Sequence, residues 1–307
     1  VTSSEKPEKT LKEKVADWLE SEGFPLEFYT ASVFYKNGFD VNQGFYVRDI
    51  KSELPREIDV LADATVDVKP SFIRVSYVVE CKWSRDKPWI IFTSKNEHLH
   101  PASCVAHTIG SSTGEAILWT LAGDEKLHSL DTFCAPRRPG FSGRQVFNKG
   151  NDIFYTAIQS VTSAAMSLVN WYNGNERTLS KTLELAVIAL PVIVIDGPLF
   201  EAYFDSESGQ MAIEEVEQVK VHWRGLGDSI NTVDMVAANK LNDFVEKRRG
   251  EMSDIFERAS TCLEQIHECY KKRSLTPLKV TKGPRGFIGL PPLLAAIHQL
   301  EKDAKRH

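Results

Sequence analysis

Glu80, Cys81 and Lys82 lie in the run FIRVSYVVECKW (72–83), and Asp59 lies in EIDVLADA (57–64). A strand sends residues i and i+2 to the same face, so Glu80 and Lys82 project together while Cys81 faces away. If the two runs pair as a hairpin, Asp59 comes beside Glu80 on that face. Both carboxylates are embedded in apolar sequence, where a charge is costly unless it is paired or binds a metal. Two adjacent carboxylates repel each other and need a cation. A hard divalent ion such as Mg²⁺ or Mn²⁺ takes oxygen ligands, and the Cys81 backbone carbonyl would add one more. The Lys82 ammonium beside it would orient water or stabilise charge on a phosphorane-like transition state. Alternatively, a neighbouring cation lowers the lysine pKa and makes Lys82 a general base. The plainer reading is an ordinary ion pair in which Lys82 neutralises Glu80.

The elements that must position these groups follow from periodicity. Residues 11–37 read as helical, with apolar positions at Val15, Leu19, Leu26, Phe28, Val33 and Phe34. Gly23 and Pro25 split this run into two helices, and Gly38 ends the second. Three strands follow, at 39–49, 57–64 and 72–83, with turns expected at Pro55 and at Lys69-Pro70. Short joints favour antiparallel hairpins. A helix is expected over 102–121, a basic loop over 135–150, and a helix over 152–172 capped by Asn151 or Asp152. The apolar run 185–195 reads as a strand buried on both faces. Further strands are expected at 199–205 and 218–224, then helices at 230–270 and 291–305. The order predicts an α/β sandwich with a mixed sheet.

Arg56-Glu57-Ile58-Asp59-Val60 and Val79-Glu80-Cys81-Lys82-Trp83, in this order of elements, resemble the PD-(D/E)XK nuclease superfamily, and in particular the Mrr-type restriction endonucleases. The resemblance implies a restriction-endonuclease-like fold: a central mixed β-sheet flanked by helices, here with a helical C-terminal extension. Composition and pattern set a loose arm at 1–10 and a basic helical extension at 229–307 apart from this core, and the resemblance implies a nuclease-like core at 11–228 with an insertion at about 84–150. It also implies that Asp59 and Glu80 are metal ligands and that Lys82 positions water. Many members add a Glu from the first helix, and Glu27 of Gly23-Phe24-Pro25-Leu26-Glu27-Phe28 matches that place. The expected activity is Mg²⁺-dependent (or Mn²⁺-dependent) hydrolysis of phosphodiester bonds, with DNA as partner, in prokaryotic defence or repair. Cutting both strands of a duplex often uses two sites, which suits a homodimer. The alternative is a catalytically inactive module of the same fold that binds nucleic acid or a protein. Two departures stand out: Ile58 replaces the motif's Pro, and Glu57 competes with Asp59 as a ligand.

Composition is compatible with these readings. The chain has 307 residues, 42% hydrophobic and 26% charged, which excludes wholesale disorder. The longest apolar run contains Pro191 and is too short to cross a bilayer. The N-terminal residues are polar, unlike a secretory leader. Five scattered cysteines are not a disulfide framework, which points to a reducing, cytoplasmic setting. Net charge is −5, but residues 239–307 carry 14 Lys+Arg against 9 Asp+Glu, a weak hint of a polyanion partner. Arg137, Arg138 and Arg144 of the basic loop, with 247–249 and 271–273, are candidate phosphate contacts. Trp83 and Trp89 flank the proposed site and could stack on bases. Gly110-Ser111-Ser112-Thr113-Gly114 fits the nucleophile-elbow pattern, which would make Ser112 a nucleophile with a later His. His98, His100, Cys104 and His107 cluster without a zinc spacing.

Overall fold

The computed structural model describes residues 9–69, 71–83, 87–95, 99–147, 153–176, 185–224, 230–272, 274 and 276–278. Helices α1 (Leu11–Glu22) and α2 (Phe24–Lys36) divide at Gly23, whose φ of 88° ends the first helix, while Pro25 enters the first turn of the second. Thr10 and Glu13 close a capping box on α1. Three antiparallel strands follow: β1 (Asp40–Arg48), β2 (Pro55–Val68) and β3 (Ser71–Trp83). Pro55, expected in a turn, is instead the first residue of β2, a position where its missing N–H is tolerated.

The expected helix at 102–121 is two helices, α3 (Pro101–Ala106) and α4 (Ser112–Thr120), parted by the short strand β5 (Ile109–Gly110). The cause is local. The Ser111 hydroxyl caps α4 through Gly114 and also accepts the Val187 N–H, docking the segment against the sheet. A Cβ at Gly114 would lie 2.2 Å from the Val187 carbonyl oxygen, so no larger residue permits this approach. The segments around this break supply β4 (Trp89–Thr93), α5 (Glu125–Ser129) and β6 (Gly140–Gln145), the last replacing much of the expected loop at 135–150. Helix α6 (Ile153–Glu176) follows, and its expected caps at 151 and 152 lie outside the described residues.

Strand β7 (Leu185–Asp196) is buried along nearly its whole length, as its unbroken apolar sequence requires. After it come β8 (Leu199–Asp205), the unexpected β9 (Gln210–Glu215), β10 (Gln218–Arg224) and β11 (Ile230–Ala237). β11 corrects the start of the helix expected at 230–270, which begins as α7 (Leu241–Lys272) after a 3-10 turn. The helix expected at 291–305, and residues 1–8 of the expected arm, lie outside the described residues.

The result is a mixed α/β fold on one large mixed sheet, ordered β1-β2-β3-β7-β11-β10-β6-β4-β8-β9, with β5 also on β7. β7 runs parallel to β3 along its full length and parallel to β11 on the other side. One core cluster joins α2, α4 and α7 to Val60, Tyr77, Val79 and Val194. The other joins α6 to Val78, Ile193, Trp89 and Val221. The β1–β2 hairpin changes sides between them. Val41, Val60 and Ala62 pack in the first cluster, while Phe45, Val47 and Ile58 pack in the second. Strict alternation forbids this, and Gly44, with φ 58°, absorbs the change. Beyond it the hairpin tip folds onto α6. Ser160, Ser163 and Ser167 of that helix bond Arg56, Asp49 and the Ile50 N–H.

Candidate active site

The change of sides opens a fork between β2 and β3. The strands pair from Val68↔Ser71 as far as Val60↔Val79. At the fork, the Cys81 N–H donates to the side chain of Asp59 (Oδ2, 2.7 Å). β3 keeps its partner on the other side out to Trp83↔Asp196. Glu80 and Lys82 are therefore held on a well-supported strand end, while Asp59 reaches across from a diverging one.

The alternation expected of Glu80-Cys81-Lys82 is present. The Lys82 ammonium is ion-paired with Glu80. The Cys81 thiol points the other way, to Thr30 Oγ1 of α2 at 3.6 Å, and burial raises its pKa well above the ordinary value. Glu27, from α2, is close enough that Glu80, Glu57 and Lys82 all influence its charge; burial first, then Glu57 and Glu80, raise its carboxyl pKa. Glu57 faces this side too and accepts a hydrogen bond from Tyr46 Oη at 2.9 Å. The sequence did not single out Tyr46, and only the pairing of Tyr46 with Glu57 reveals it.

Asp59 shows most plainly what the cluster lacks. Its carboxyl is pushed up to about 7, first by burial and then by the charge of Glu80, with Glu27 adding to the effect. The Cys81 amide and Lys82 pull the other way without cancelling it. Among the described residues, four carboxyls, at Glu27, Glu57, Asp59 and Glu80, thus share one ammonium. A hard divalent cation suits this set, being oxygen-seeking and doubly charged. Among the described residues, no three His, Cys, Asp or Glu side chains are gathered closely enough to hold a metal by themselves. Asp59 and Glu80 would therefore share the ion with the Cys81 carbonyl and water, as Mg²⁺ commonly allows.

The other candidates are placed elsewhere. Trp83 packs against Gly23, where an added Cβ would approach to 3.0 Å, and Trp89 is wholly buried in the α6 core. Neither is a free stacking surface. Arg138 is ion-paired with Glu201, lies 3.6 Å from Glu214 and stacks 3.7 Å over Tyr203, so its charge is already taken up; Arg137 and Arg144 are exposed. In helix α7, Arg248 is buried against Asp234 and Glu251, Lys247 pairs with Asp131, and Lys271 and Lys272 pair with Glu268. Arg273 lies outside the described residues.

Ser112 opens α4 and bonds Asn173 Oδ1, while His128 bonds the Ala122 carbonyl, so these two do not form a nucleophile–base pair. The motif's glycines and Ser111 serve docking onto β7 instead. His100 caps α3 through the Ala102 N–H, and His98 lies outside the described residues. Among the described residues, no helix is long and apolar enough to cross a membrane. No family model matches the chain, and no curated protein or solved structure matches it.

Proposed function

We propose that the chain is a metal-dependent nuclease that hydrolyses phosphodiester bonds in DNA, with its active site at the β2–β3 fork. The observation that carries this reading is Asp59. It is a half-buried carboxyl pushed up to about 7, held at the end of a strand ladder beside Glu80 and Lys82. Such perturbed groups gather where chemistry is done. The order α2, antiparallel β1–β2–β3, α6, then β7 parallel to β3, is also similar to the core of the PD-(D/E)XK nucleases.

Asp59, Glu80 and the Cys81 carbonyl would hold Mg²⁺ or Mn²⁺, with Glu27 as an outer carboxylate. When bound, such an ion neutralises phosphate charge and activates water for attack. Lys82 gives up part of its pairing with Glu80 to orient the attacking water and to stabilise charge at phosphorus in the transition state. The buried thiol of Cys81 takes no part, and its role is to anchor the strand on α2. Two copies acting together would cut both strands of a duplex.

The test is cleavage of linear, circular and single-stranded DNA and RNA with Mg²⁺ or Mn²⁺, comparing wild type with Asp59→Ala and Lys82→Ala. Metal-dependent cutting lost in both variants supports the assignment, and cutting that survives both overturns it. The Glu80–Lys82 ion pair favours one other reading, an inactive module of this fold that binds nucleic acid or a protein. Calorimetry with Mg²⁺ and Mn²⁺ separates the two. A catalytic site binds the ion through Asp59 and Glu80, whereas a residual ion pair does not.

A further inference from the structure

Helix α1 turns a row of apolar side chains to solvent. Leu11, Val15 and Trp18 stand at i, i+4 and i+7 and so share one face of the helix. They are 78%, 48% and 54% exposed. The Trp18 ring lies 5.8 Å from that of Phe24 at the start of α2, and Phe28, one turn further on, is 61% exposed. Single apolar side chains on a surface are ordinary, but a contiguous row marks a docking face.

The helix also lacks the support that its length demands. None of its 12 residues is buried. A helix so short is marginal in water unless an apolar face is packed. The capping box of Thr10 and Glu13 satisfies its first turn without covering that face. Charge along α1 says what fits there. Its lysines, Lys12 and Lys14, stand in the first half, beside the Glu13 of the capping box, and its second half carries Asp17, Glu20 and Glu22. Two copies of α1 laid parallel would set like charges side by side. Laid antiparallel, they set each lysine-bearing end against an acidic one, with Val15 of each copy opposite Trp18 of the other. In that register Glu22 of one copy comes within reach of Lys12 of the other, twice, about a two-fold axis.

We propose that α1 is the surface through which two copies of this chain pair, antiparallel and about a two-fold axis. The need for two copies rests on the nuclease reading, while the choice of surface rests on α1 alone. Gly23, at the end of α1, packs against Trp83, the neighbour of Lys82. The helix pair therefore carries one fork at each of its ends.

The test is sedimentation velocity of the full chain over micromolar concentrations, with far-UV circular dichroism to show that each variant keeps its fold. The expected result is a dimer, weakened about tenfold or more by Val15→Glu and about threefold or more by Lys12→Glu or Glu22→Lys alone. The double exchange of Lys12→Glu with Glu22→Lys restores it. Those two positions are ten residues apart on one helix, about 15 Å, too far to pair within a chain, so rescue reports contact between copies. A wild type that stays monomeric, because another part of the chain or a different protein covers the row, overturns the proposal. So does a dimer indifferent to Val15→Glu, or one that the double exchange fails to restore. Metal-dependent DNA cleavage is read separately. A monomer that cuts overturns this inference alone, and a dimer that does not cut overturns the nuclease reading alone.

Discussion

Asp49 and Asp59 flank the same hairpin turn, both are withdrawn from solvent, and they have opposite chemistry. Asp49 accepts hydrogen bonds from the Lys51 and Ser52 amides, the Ser52 and Ser163 hydroxyls and Arg56 Nε, at 2.6–3.0 Å. Its carboxyl is held well below the usual range, chiefly by the Ser52 amide and the Ser163 hydroxyl. Asp59 has one amide and two carboxylate neighbours, and it is pushed up to about 7. Burial alone therefore does not decide what a carboxyl becomes. The supply of donors does. One aspartate is saturated and builds the turn, and the other is left short of positive charge, which is what the proposed cation would supply.

The contrast can be broken by substitution. The largest effect should come from Asp59→Ala, which lowers metal-dependent cleavage by on the order of 10³-fold, with Lys82→Ala close behind, read as initial rates on the preferred substrate. Full cleavage by either variant would end the functional half of the comparison. Next comes Asp49→Ala, which orphans two amides and Arg56. It should cost about 2–3 kcal/mol in urea unfolding, with the proposed cleavage by the remaining folded protein intact.

Asp59→Asn should do the reverse, raising stability in chelating buffer by about 1–2 kcal/mol at pH 8 while abolishing cleavage. Because the folded-state pKa of Asp59 is raised, ionising it costs stability as pH climbs from the unfolded value toward about 7. The gain from Asp59→Asn should therefore grow between about pH 4 and 7 and then level off. The folded-state pKa of Asp49 is lowered, so its contribution is present above the ordinary carboxylate range and lost as pH falls. Asp49→Asn should flatten that acid limb. The smallest effect belongs to Gly44→Ala, with a cost of about 1 kcal/mol. There φ is 58° and a Cβ would sit 3.3 Å from Glu57 Oε1.

The sequence made one side of this comparison visible and hid the other. Glu80, Lys82 and Asp59 stood out because charged residues interrupt apolar strands. Alternation put Glu80 and Lys82 on one face, whereas Asp59 stands where β2 changes sides and alternation breaks. The helix break at Gly23-Pro25 and the buried strand β7 were equally legible from local signals. Asp49 was not, because its partners Arg56 and Ser163 come from other elements. β11 was missed since no Gly or Pro separates it from α7. β9 was missed since an exposed, acidic edge strand carries little alternation. The helix expected at 102–121 failed because Ser111 and Gly114 answer to β7, a contact made across the chain.

The Cys81 amide, which ends the β2–β3 pairing on a side chain, has a practical consequence. A ladder hydrogen bond ordinarily terminates on a carbonyl, whose charge is fixed. This one terminates on a group that gains and loses a proton and would bind a cation. The Cys81 ¹⁵N–¹H resonance is thus a reporter wired to the fork. Its chemical shift should follow protonation and metal loading of Asp59 in the same titration, and its exchange with solvent deuterium should slow when the fork is clamped. A single backbone nucleus would then read the charge state of the site without any substrate present.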